Sequence, residues 1–411
     1  MMGRKKIDAP ADSSKMSALI NGLKSKTDGS KYGLDTANNL AANWRYIDVC
    51  NPLTGEPCLL LEWLLGARGF LVGRLVSVEA DQGIGKSSLV LAIYGMGQQT
   101  TNAWCFHHES EGAPPPPDYI ASLGADPAEL ALQQPGSVER CMGSVEELTY
   151  AIRGSVKKSG PDMDCKAPII HGIDSVSGFG TDSEMDDVST AVDLTTMSGL
   201  GGHARCISRW FRDRGGVWLE RNQVLMIMTS QIKDKIITDR TAGHMTAEQK
   251  RTILAEKPIR FNASIRLDLR THKLVDSNKA DIGELVIIKT SKNKISPKNR
   301  EVQIPLWRGK GFQFSPATID MLRYLSPIPT GANTSFSIEQ KGAWVAIDGK
   351  NWPSNNESKT EALSNLYANT DLLMAIREGL RIRGFGFDFE KNYMLSPEEL
   401  EDLEGPTEPT T

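Results

Sequence analysis

The chain has 411 residues, of which 24% are charged and 39% hydrophobic, and its formal net charge at pH 7 is -4. This length predicts two or three domains, and the weak negative charge excludes nucleic-acid binding through bulk positive charge. Six cysteines without a CxxC pair, and an amino terminus that leads into no apolar run, indicate neither a disulfide framework, a zinc site nor a secretory signal. No stretch approaches 18 consecutive apolar residues, so we expect no membrane contact and a reducing, cytoplasmic location.

The amino-terminal 45 residues are predicted to be a tail followed by an arm. Residues 1–15 are polar and charged, which is typical of disorder. Apolar residues then recur at helical spacing, at Met16, Leu19, Ile20 and Leu23. They predict a short amphipathic helix whose apolar face must pack against another protein surface. The sequence alone leaves open whether this helix is a detachable arm or packs on its own core.

The core begins near Tyr46 and contains a phosphate-loop pattern. The apolar block Leu59–Leu65 comes first, and a β-branched run from Leu75 then ends at Ala80. The letters ADQGIGKS that follow, from Ala80 to Ser87, match the pattern with alanine in the first glycine position. The apolar run 89–93 suits a buried helix, so the motif lies in the strand, loop and helix context that it requires.

This loop is the candidate nucleotide site. Its two glycines let backbone N–H groups face a polyphosphate, while the helix adds its positive amino-terminal end. Lys86 would reach the β and γ phosphates, and the hydroxyl of Ser87 would bind Mg²⁺. The alternative is a glycine-rich turn with an incidental lysine. The full predicted set of phosphate-loop residues is Asp81, Gln82, Gly83, Ile84, Gly85, Lys86, Ser87 and Ser88.

Two further strand ends carry carboxylates. A strand is predicted at Ala103–His107, and the four prolines after HHESEGA exclude a helix or central strand there, which places Glu109 and Glu111 on a loop. Either could polarise the water that attacks a γ phosphate, or both could be solvated. The segment Ala167–Ser177 predicts a buried strand ending in Asp174, which would orient Mg²⁺ and its waters.

The next segments combine basic residues with late strands. A helix from about Gly202 to Arg214 places Arg205, Arg209 and Arg212 on one face, which either meets DNA or is merely solvated. Gln223–Ser230 is a buried strand that ends at Gln231. Residues 232–257 show no strand pattern, which indicates a functional or disordered stretch.

Two later runs, 263–270 and 284–289, read as strands because they alternate with period two. Lys292–Lys294 and Lys298–Arg300 are expected to form a basic cluster in the turn after the second run. From about 315 the composition changes, which predicts a small domain over 315–396 with a helix at Glu361–Glu378 stopped by Gly379. The tail 397–411 is acidic and predicted to be disordered, and it could compete with DNA for basic surface.

With these segments in order, the chain resembles the RecA family of recombinases, most closely its phage UvsX-like members. The resemblance covers roughly 53–312 and rests on GFLVGRLVSVEADQGIGKSS, CFHHESEGA, DYIASLGAD, APIIHGIDSVS, VLMIMTSQIKDKI, RFNASIRLDLR and VIIKTSKNKISP. It implies an α/β fold in which residues 46–314 form a RecA-like P-loop ATPase core around a central, mostly parallel twisted sheet. The arm would be a polymerisation helix, and the location would be a bacterial host's cytoplasm if a phage encodes the chain.

The resemblance also implies roles at the nucleotide. Glu111 matches the family's water-activating glutamate, with Glu109 as the alternative, and Asp174 matches the acid of the Mg²⁺ site. Tyr119 matches an aromatic residue that stacks on adenine. Gln231 resembles the γ-phosphate sensor. Lys292 and Lys294 match a lysine pair that reaches ATP bound to the neighbouring subunit.

At DNA, the resemblance implies two loops. Arg205 and Arg212 match basic positions near the first loop, with Arg209 on the same helix face. The second loop would span about 232–258, where Lys233, Lys235 and Ile236 would contact DNA and Ile236 would act as an apolar wedge between base triplets. This second loop ends in EKP, from Glu256, where the family usually has glycines, and the first loop is unusually acidic.

The function that the resemblance implies is that of an ATP- and Mg²⁺-dependent recombinase. Such a protein forms a helical filament on single-stranded DNA and catalyses homologous pairing and strand exchange with a duplex, and it can need single-strand-binding and loader proteins. Two alternatives remain open. One is a hexameric replicative helicase built on the same core, and the other is a nucleotide-gated protein that coats DNA with only incidental hydrolysis.

Overall fold

The computed structural model describes residues 44–112, 114–154, 166–183, 202–234, 251–275, 281–328, 337–341, 344–354 and 357–384. The predicted arm helix around Met16–Leu23 and the acidic tail 397–411 lie outside these ranges. From Ile47 onward the chain forms one compact unit, which includes the helices after residue 315. The small separate domain predicted over 315–396 therefore stays a prediction.

The unit alternates strands and helices in the way that the sequence pattern predicts for an α/β fold. The strands are β1 (Tyr46–Asp48), β2 (Gly69–Leu71), β3 (Leu75–Ala80), β4 (Trp104–Glu109), β5 (Leu130–Gln133), β6 (Ile169–Asp174), β7 (Val224–Asp234), β8 (Arg251–Ile253), β9 (Ile265–Val275), β10 (Asp281–Asn293), β11 (Glu301–Trp307), β12 (Gly311–Phe312), β13 (Ile338–Lys341), β14 (Trp344–Ile347) and β15 (Lys350–Trp352). The helices are α1 (Leu59–Leu65), α2 (Lys86–Thr101), α3 (Pro117–Ser122), α4 (Val138–Arg153), α5 (Gly202–Asp213), α6 (Gly215–Arg221), α7 (Glu256–Asn262), α8 (Phe314–Leu325), α9 (Lys359–Ala368) and α10 (Thr370–Gly384).

The large sheet has ten strands and is parallel through its centre. Its order is β12, β11, β10, β9, β3, β7, β6, β4 and β5, with β8 paired to β7. The strands β9, β3, β7, β6, β4 and β5 are parallel to one another, whereas the pairs β9–β10, β10–β11 and β11–β12 are antiparallel. Because parallel strands end at one edge, the residues that follow β3, β4, β6 and β7 meet there. The predicted fold class is confirmed.

Strand β3 and helix α2 form the centre of the core. Every residue of β3 is buried, as expected of a central parallel strand covered on both faces. Helix α2 is apolar all round from Leu89 to Met96, and these residues are buried too. The phosphate-loop context of buried strand and buried helix is thus confirmed.

The prediction that residues 232–257 contain no strand is wrong at both ends of this stretch. Strand β7 continues past Ser230 to Asp234 because β8 pairs with it antiparallel, with Ile232 opposite Ile253. Helix α7 then begins at Glu256. The pairing partner comes from beyond residues 235–250, so no local pattern could reveal it.

The prediction that a basic cluster lies in a turn after residue 289 is also wrong. Strand β10 runs to Asn293 because it stays paired with β9, where Lys292 lies opposite Arg266 after a register shift. Arg300 is only 2% exposed. Its Nη1 donates to the Trp63 backbone oxygen at 2.6 Å, and its guanidinium lies 4.5 Å from the centre of the Trp63 ring.

The long helix predicted at Glu361–Glu378 is two helices, α9 and α10, that meet at Asn369. The side chain of Asn369 accepts a hydrogen bond from the backbone N–H of Leu372 at 3.1 Å and so supports the start of α10. Gly379 does not stop the helix and lies inside it. Arg377 of α10 binds both oxygens of Glu62 on α1, at 2.6 and 2.8 Å, and this contact holds the helix on the core.

Sequence reasoning missed helix α4. Its N-cap is Ser137, whose hydroxyl accepts from the backbone N–H of Arg140 at 3.2 Å. The described cysteines, Cys50, Cys58, Cys105, Cys141 and Cys206, are free thiols. Within the described ranges, every helix is too short or too polar to span a bilayer.

Candidate nucleotide-binding site

The phosphate loop connects β3 to α2 at the carboxyl edge of the sheet. Gly83 and Gly85 have φ angles of +76° and +75°, a left-handed conformation that side chains other than glycine rarely adopt. No heavy atom would lie within 4 Å of a Cβ built on Gly83, so its glycine is explained by backbone shape rather than by crowding. Asp81, Gln82 and Ile84 complete the turn.

Lys86 lies folded back over its own loop. Its Nζ donates to the backbone oxygen of Asp81 at 2.7 Å and to that of Ala80 at 3.4 Å. Burial lowers the pKa of Lys86, and the nearby carboxylates of Asp174 and Glu111 oppose that shift. The ammonium therefore lies within a cradle of carbonyls, where a phosphate oxygen would be a stronger partner.

The two serines after Lys86 differ in environment. Ser87 is exposed in the first turn of α2, where its hydroxyl is accessible to a ligand. Ser88 is buried, and its Oγ shares a 2.6 Å hydrogen bond with the hydroxyl of Tyr119. This bond positions the Tyr119 ring of α3 beside the phosphate loop.

Strands β4 and β6 end side by side next to this loop. The prediction that Glu109 lies on a loop is wrong, because β4 stays paired with β6 to its end. Glu109 is the last residue of β4 and lies opposite Asp174, the last residue of β6. The backbone N–H of Ser110 donates to the Asp174 backbone oxygen at 2.9 Å, and the Ser110 hydroxyl donates to the Ser175 oxygen at 2.8 Å. These bonds fix the two strand ends relative to each other.

The structure separates the two candidate glutamates. Glu109 is 7% exposed, and its Oε1 accepts from the backbone N–H of Glu111 at 2.6 Å. Burial raises the pKa of Glu109, but the hydrogen bonds from His107 and from the Glu111 N–H outweigh it and leave the pKa below its ordinary value. Glu111 itself is exposed and close enough to Lys86 to act on that lysine's pKa.

Asp174 is the most enclosed acid of the site, at 5% exposure. Its Oδ1 accepts a hydrogen bond from the Thr229 hydroxyl at 2.5 Å. Its Oδ2 is buried and has no hydrogen-bond partner within the described residues. Sequence reasoning missed Thr229, which lies in an apolar run on β7 and is recognisable only from the pairing of β7 with β6.

Gln231 lies on β7 directly opposite Ala80, the residue that opens the phosphate loop. It is half-buried, whereas Lys233, two residues further along β7, is exposed. Lys235 and Ile236 lie outside the described residues. Gln231 is thus at the junction between the nucleotide loop and the segment that resembles a DNA-binding loop.

Lys292 and Lys294 do not approach the phosphate loop of their own chain through any described contact. The Nζ of Lys292 donates to the backbone oxygens of Arg260 and Phe261, at 2.6 and 3.0 Å, at the carboxyl end of α7. Burial lowers the pKa of Lys292, and the positive charges of Lys294 and Arg266 act in the same direction. Lys294 is exposed.

The arginines of α5 share the exposed face that the helical spacing predicts. Arg205, Arg209 and Arg212 are all exposed, opposite the buried Ile207 and Trp210. This face is not uniformly basic, because Arg209 lies 3.7 Å from Asp213.

Asp182 belongs to the loop that the sequence marks as unusually acidic. It accepts from the Ser137 hydroxyl at 2.5 Å and lies 3.1 Å from Arg140, at the start of α4. Its charge is therefore paired within the fold, and the rest of this acidic loop, from 184 to 200, lies outside the described residues.

A buried ionic network lies behind the phosphate loop and was also missed. Glu79 is 1% exposed and precedes Ala80 on β3. Arg260 of α7 donates to Glu79 at 2.7 Å, and Arg266 of β9 lies 3.5 Å away. Helix α7 follows the second candidate DNA loop, so this network joins that segment to the nucleotide strand.

The phosphate loop, the carboxylates on neighbouring strand ends and the glutamine beside the loop define a P-loop nucleoside triphosphatase with a RecA-like core. The residues present fit Mg²⁺ with a nucleotide, because the exposed Ser87 hydroxyl and the buried Asp174 carboxylate supply oxygen donors beside an anion cradle.

Comparison with known proteins agrees with this class. The model of the RecA N-terminal domain matches residues 30–313, and the chain belongs to the RecA family. It is 25% identical to Protein RecA of Cereibacter sphaeroides over 373 residues, which cover 91% of this chain and 95% of that protein. It is 26% identical to Protein RecA of Pseudomonas fluorescens, with 80% and 82% covered, and 24% identical to that of Streptococcus pyogenes, with 84% and 82% covered. Family membership assigns the chain to ATP-dependent DNA recombination and repair.

Proposed function

We propose that this chain forms a helical filament on single-stranded DNA and uses ATP with Mg²⁺ to promote homologous pairing and strand exchange with a duplex. The observation that carries the proposal is the position of Gln231, which lies opposite Ala80 across β3 and β7. The phosphate loop begins where β3 ends, and the continuation of β7 leads into the second candidate DNA loop. Nucleotide state and DNA contact are therefore joined by one short stretch of backbone.

At the nucleotide, the phosphates would lie over Gly83–Ser87 and replace the carbonyls that now hold Lys86. Tyr119 would pack against the adenine, since its hydroxyl bond to Ser88 holds the ring beside the loop. Mg²⁺ would be held by Ser87, with Asp174 orienting its waters, and would supply charge neutralisation of the phosphates.

Water activation is assigned to Glu111 rather than Glu109. Glu111 is exposed and acts on the pKa of Lys86, so its carboxylate can reach the phosphate side of the loop. Glu109 is buried, and its oxygens are engaged by His107 and by the Glu111 N–H. A carboxylate held in this way is better suited to positioning the Glu111 backbone than to accepting a proton from water.

Lys292 and Lys294 are proposed to act on ATP bound to the adjacent subunit of the filament. Within the described residues neither Nζ touches the chain's own phosphate loop, and Lys292 caps helix α7. Positive charges brought in by a neighbour would connect assembly to hydrolysis, because the site is complete only in the polymer.

The DNA contacts are proposed on two segments. Arg205, Arg209 and Arg212 present exposed guanidinium groups on α5. The second segment continues β7 through the exposed Lys233 towards Lys235 and Ile236. Contacts to backbone and stacked bases predict weak sequence preference. The finer assignment to the phage UvsX-like branch rests on the motif resemblance, and the free cysteines agree with a reducing host cytoplasm.

The deciding experiment is electron microscopy of the full chain on single-stranded DNA with Mg²⁺ and a slowly hydrolysed ATP analogue, together with ATP turnover. We expect open helical filaments and turnover stimulated many-fold by single strands. Lys86→Ala should abolish turnover, whereas Lys350→Ala, an exposed lysine on β15, should behave as the wild type. Closed six-membered rings would favour a helicase. Filaments with turnover that DNA does not stimulate would favour a coating protein.

A further inference from the structure

The short stretch 179–183 contacts the start of helix α5. His203, in the first turn of α5, donates from Nε2 to the Phe179 backbone oxygen at 2.5 Å. A Cβ built on Gly202 would lie only 2.8 Å from Cγ2 of Thr181, so the helix begins in close contact with the stretch. The position of this stretch therefore determines where α5 begins.

The same stretch is bonded to the first turn of helix α4. The Val138 backbone N–H donates to the Gly180 oxygen at 2.9 Å, and the Asp182 backbone N–H donates to Oε2 of Glu139 at 3.1 Å. The Asp182 carboxylate also lies 3.1 Å from Nε of Arg140. The stretch is thus held to α4 through both backbone and side-chain contacts.

Asp182 completes the cap of α4. Ser137 is fully buried, and its Oγ accepts from the Arg140 backbone N–H at 3.2 Å. A hydroxyl has one proton to donate, and here that proton goes to Oδ1 of Asp182 at 2.5 Å. A charged acceptor strengthens such a bond, and a negative charge is favourable beside a helix N-terminus. A shorter side chain at position 182 would lose both contributions.

Helices α4 and α5 are also joined further along. Glu146 of α4 accepts from Nε1 of Trp210 at 2.9 Å and from Nε of Arg214 at 3.0 Å. The start of α5, where Arg205 is exposed, is joined to α4 through the stretch 179–183. Asp182 therefore lies at the connection that places the first arginine of the α5 face.

We propose that Asp182 is a positioning residue for DNA binding, because it holds the start of α5, and with it Arg205, at a fixed place on α4. The inference rests on the proposed function, since it takes the arginine face of α5 as a DNA contact. A carboxylate near DNA repels phosphates, so charge alone predicts tighter DNA binding once Asp182 is removed. A positioning role predicts the opposite, weaker binding.

The test measures single-stranded DNA binding of the full chain by fluorescence anisotropy, with Mg²⁺ and a slowly hydrolysed ATP analogue, over a range of salt concentrations. Asp182→Ala should weaken binding roughly tenfold, near the lower end of what a hydrogen bond to a charged group contributes. The loss should be similar at every salt concentration, because the number of phosphate contacts is unchanged. Asp182→Asn keeps an acceptor for the Ser137 proton and should lose less.

ATP turnover separates positioning from a general loss of structure. With Asp182→Ala, the DNA concentration that gives half-maximal turnover should rise, whereas turnover at saturating DNA should equal that of the wild type. A variant that is merely less stable would lose turnover at saturating DNA as well.

Asp213→Ala is the matched control for the loss of an acid. Asp213 lies at the carboxyl end of α5, 3.7 Å from Arg209, so its removal frees a guanidinium and should tighten DNA binding. Ser137→Ala removes the Asp182 hydrogen bond from its other end. Combined with Asp182→Ala, it should weaken DNA binding little beyond the larger of the two single effects.

Asp182→Ala protein that binds DNA as tightly as the wild type, or more tightly, would overturn the proposal, and so would full additivity with Ser137→Ala. The Asp182 side chain is 42% exposed, so we expect the variant to fold, and Ser137→Ala tests the same bond where it does not. A wild type that binds no single-stranded DNA would overturn the proposed function together with this inference.

Discussion

Gly172→Ala tests the contact that fixes the Lys86 helix against the Asp174 strand. Gly172 lies on β6 two residues before Asp174, and Tyr94 lies on α2, which begins at Lys86. A Cβ on Gly172 would lie 2.0 Å from Oη of Tyr94 and 2.8 Å from Cγ1 of Val90. Tyr94 is fully buried and its hydroxyl bonds to the Phe106 oxygen, so the ring has no room to turn away.

The cost can be worked from these distances. Overpacking a core costs about 1–3 kcal/mol, and an approach to within 2.0 Å of a hydrogen-bonded oxygen belongs at the upper end. Displacing the Tyr94 hydroxyl would cost roughly 1 kcal/mol more. Tyr94→Phe removes the nearest atom, so the closest remaining atoms are Cγ1 of Val90 at 2.8 Å and Cζ of residue 94 at 3.0 Å. These are tight contacts that small shifts of the two side chains relieve. Gly172→Ala should then cost about 2 kcal/mol less in the Tyr94→Phe background.

The assay is the urea-unfolding free energy of the wild type, both single variants and the double variant, with ATP turnover measured in parallel. Turnover should fall with Gly172→Ala and partly recover in the double variant, since Lys86 and Asp174 regain their spacing. Gly143→Ala is the matched control, because no heavy atom lies within 4 Å of its Cβ position. Additive costs for Gly172→Ala and Tyr94→Phe would refute the reasoning, since they would mean that the two positions do not touch.

Three further predictions concern charge. The double variant Lys292→Ala/Lys294→Ala should impair ATP turnover without changing the folding of the monomer. If the lysines act on ATP bound to a neighbour, mixing this variant with Lys86→Ala protein should restore part of the turnover. No gain on mixing would exclude action on a neighbour's ATP. Burial lowers the pKa of His108 from 6.5 to about 4, so the unfolded chain binds the proton first and the free energy of unfolding should fall as the pH is lowered from 6.5 to 4. Burial lowers the pKa of His171 as well, so His108→Gln should reduce this slope without removing it, and an unchanged slope would assign it elsewhere. The pKa of Glu109 lies below its ordinary value of 4.5, so this residue stabilises the fold above pH 4.5, and the stabilisation is lost as the pH falls through the folded-state pKa. Glu109→Gln should remove this loss on the acid side, measured as the free energy of urea unfolding at a series of pH values.

The parts of the site that were predictable are local in sequence. Gly83, Gly85 and Lys86 have fixed spacing behind an apolar strand, so one short window specifies both the turn and its chemistry. Asp174 ends a buried run, and the sheet rule alone places it at the carboxyl edge. Gln231 follows from the same rule.

The parts that were not predictable depend on contacts between distant segments. His107 is one polar residue at the end of the predicted strand 103–107, and its relation to Asp174 arises only from the pairing of β4 with β6. The strand at Lys292 persists because β9 pairs with it, which overrides its turn-like composition. Gly379 stays helical because packing of α10 on the core outweighs its low helix propensity.

The same pairing explains why acidic groups can be buried at this edge. Each strand end supplies one charged or polar group, and the fold compensates some of them internally, as the hydroxyl of Thr229 does for one oxygen of Asp174. The other Asp174 oxygen has no such partner within the described residues, while Lys86 rests on neutral carbonyls rather than on an acid. A cation at the first and an anion at the second would each gain a charged partner that the fold has already desolvated. The edge of the sheet is therefore arranged so that metal and polyphosphate stabilise it together, and a nucleotide without its metal should bind less tightly than the pair.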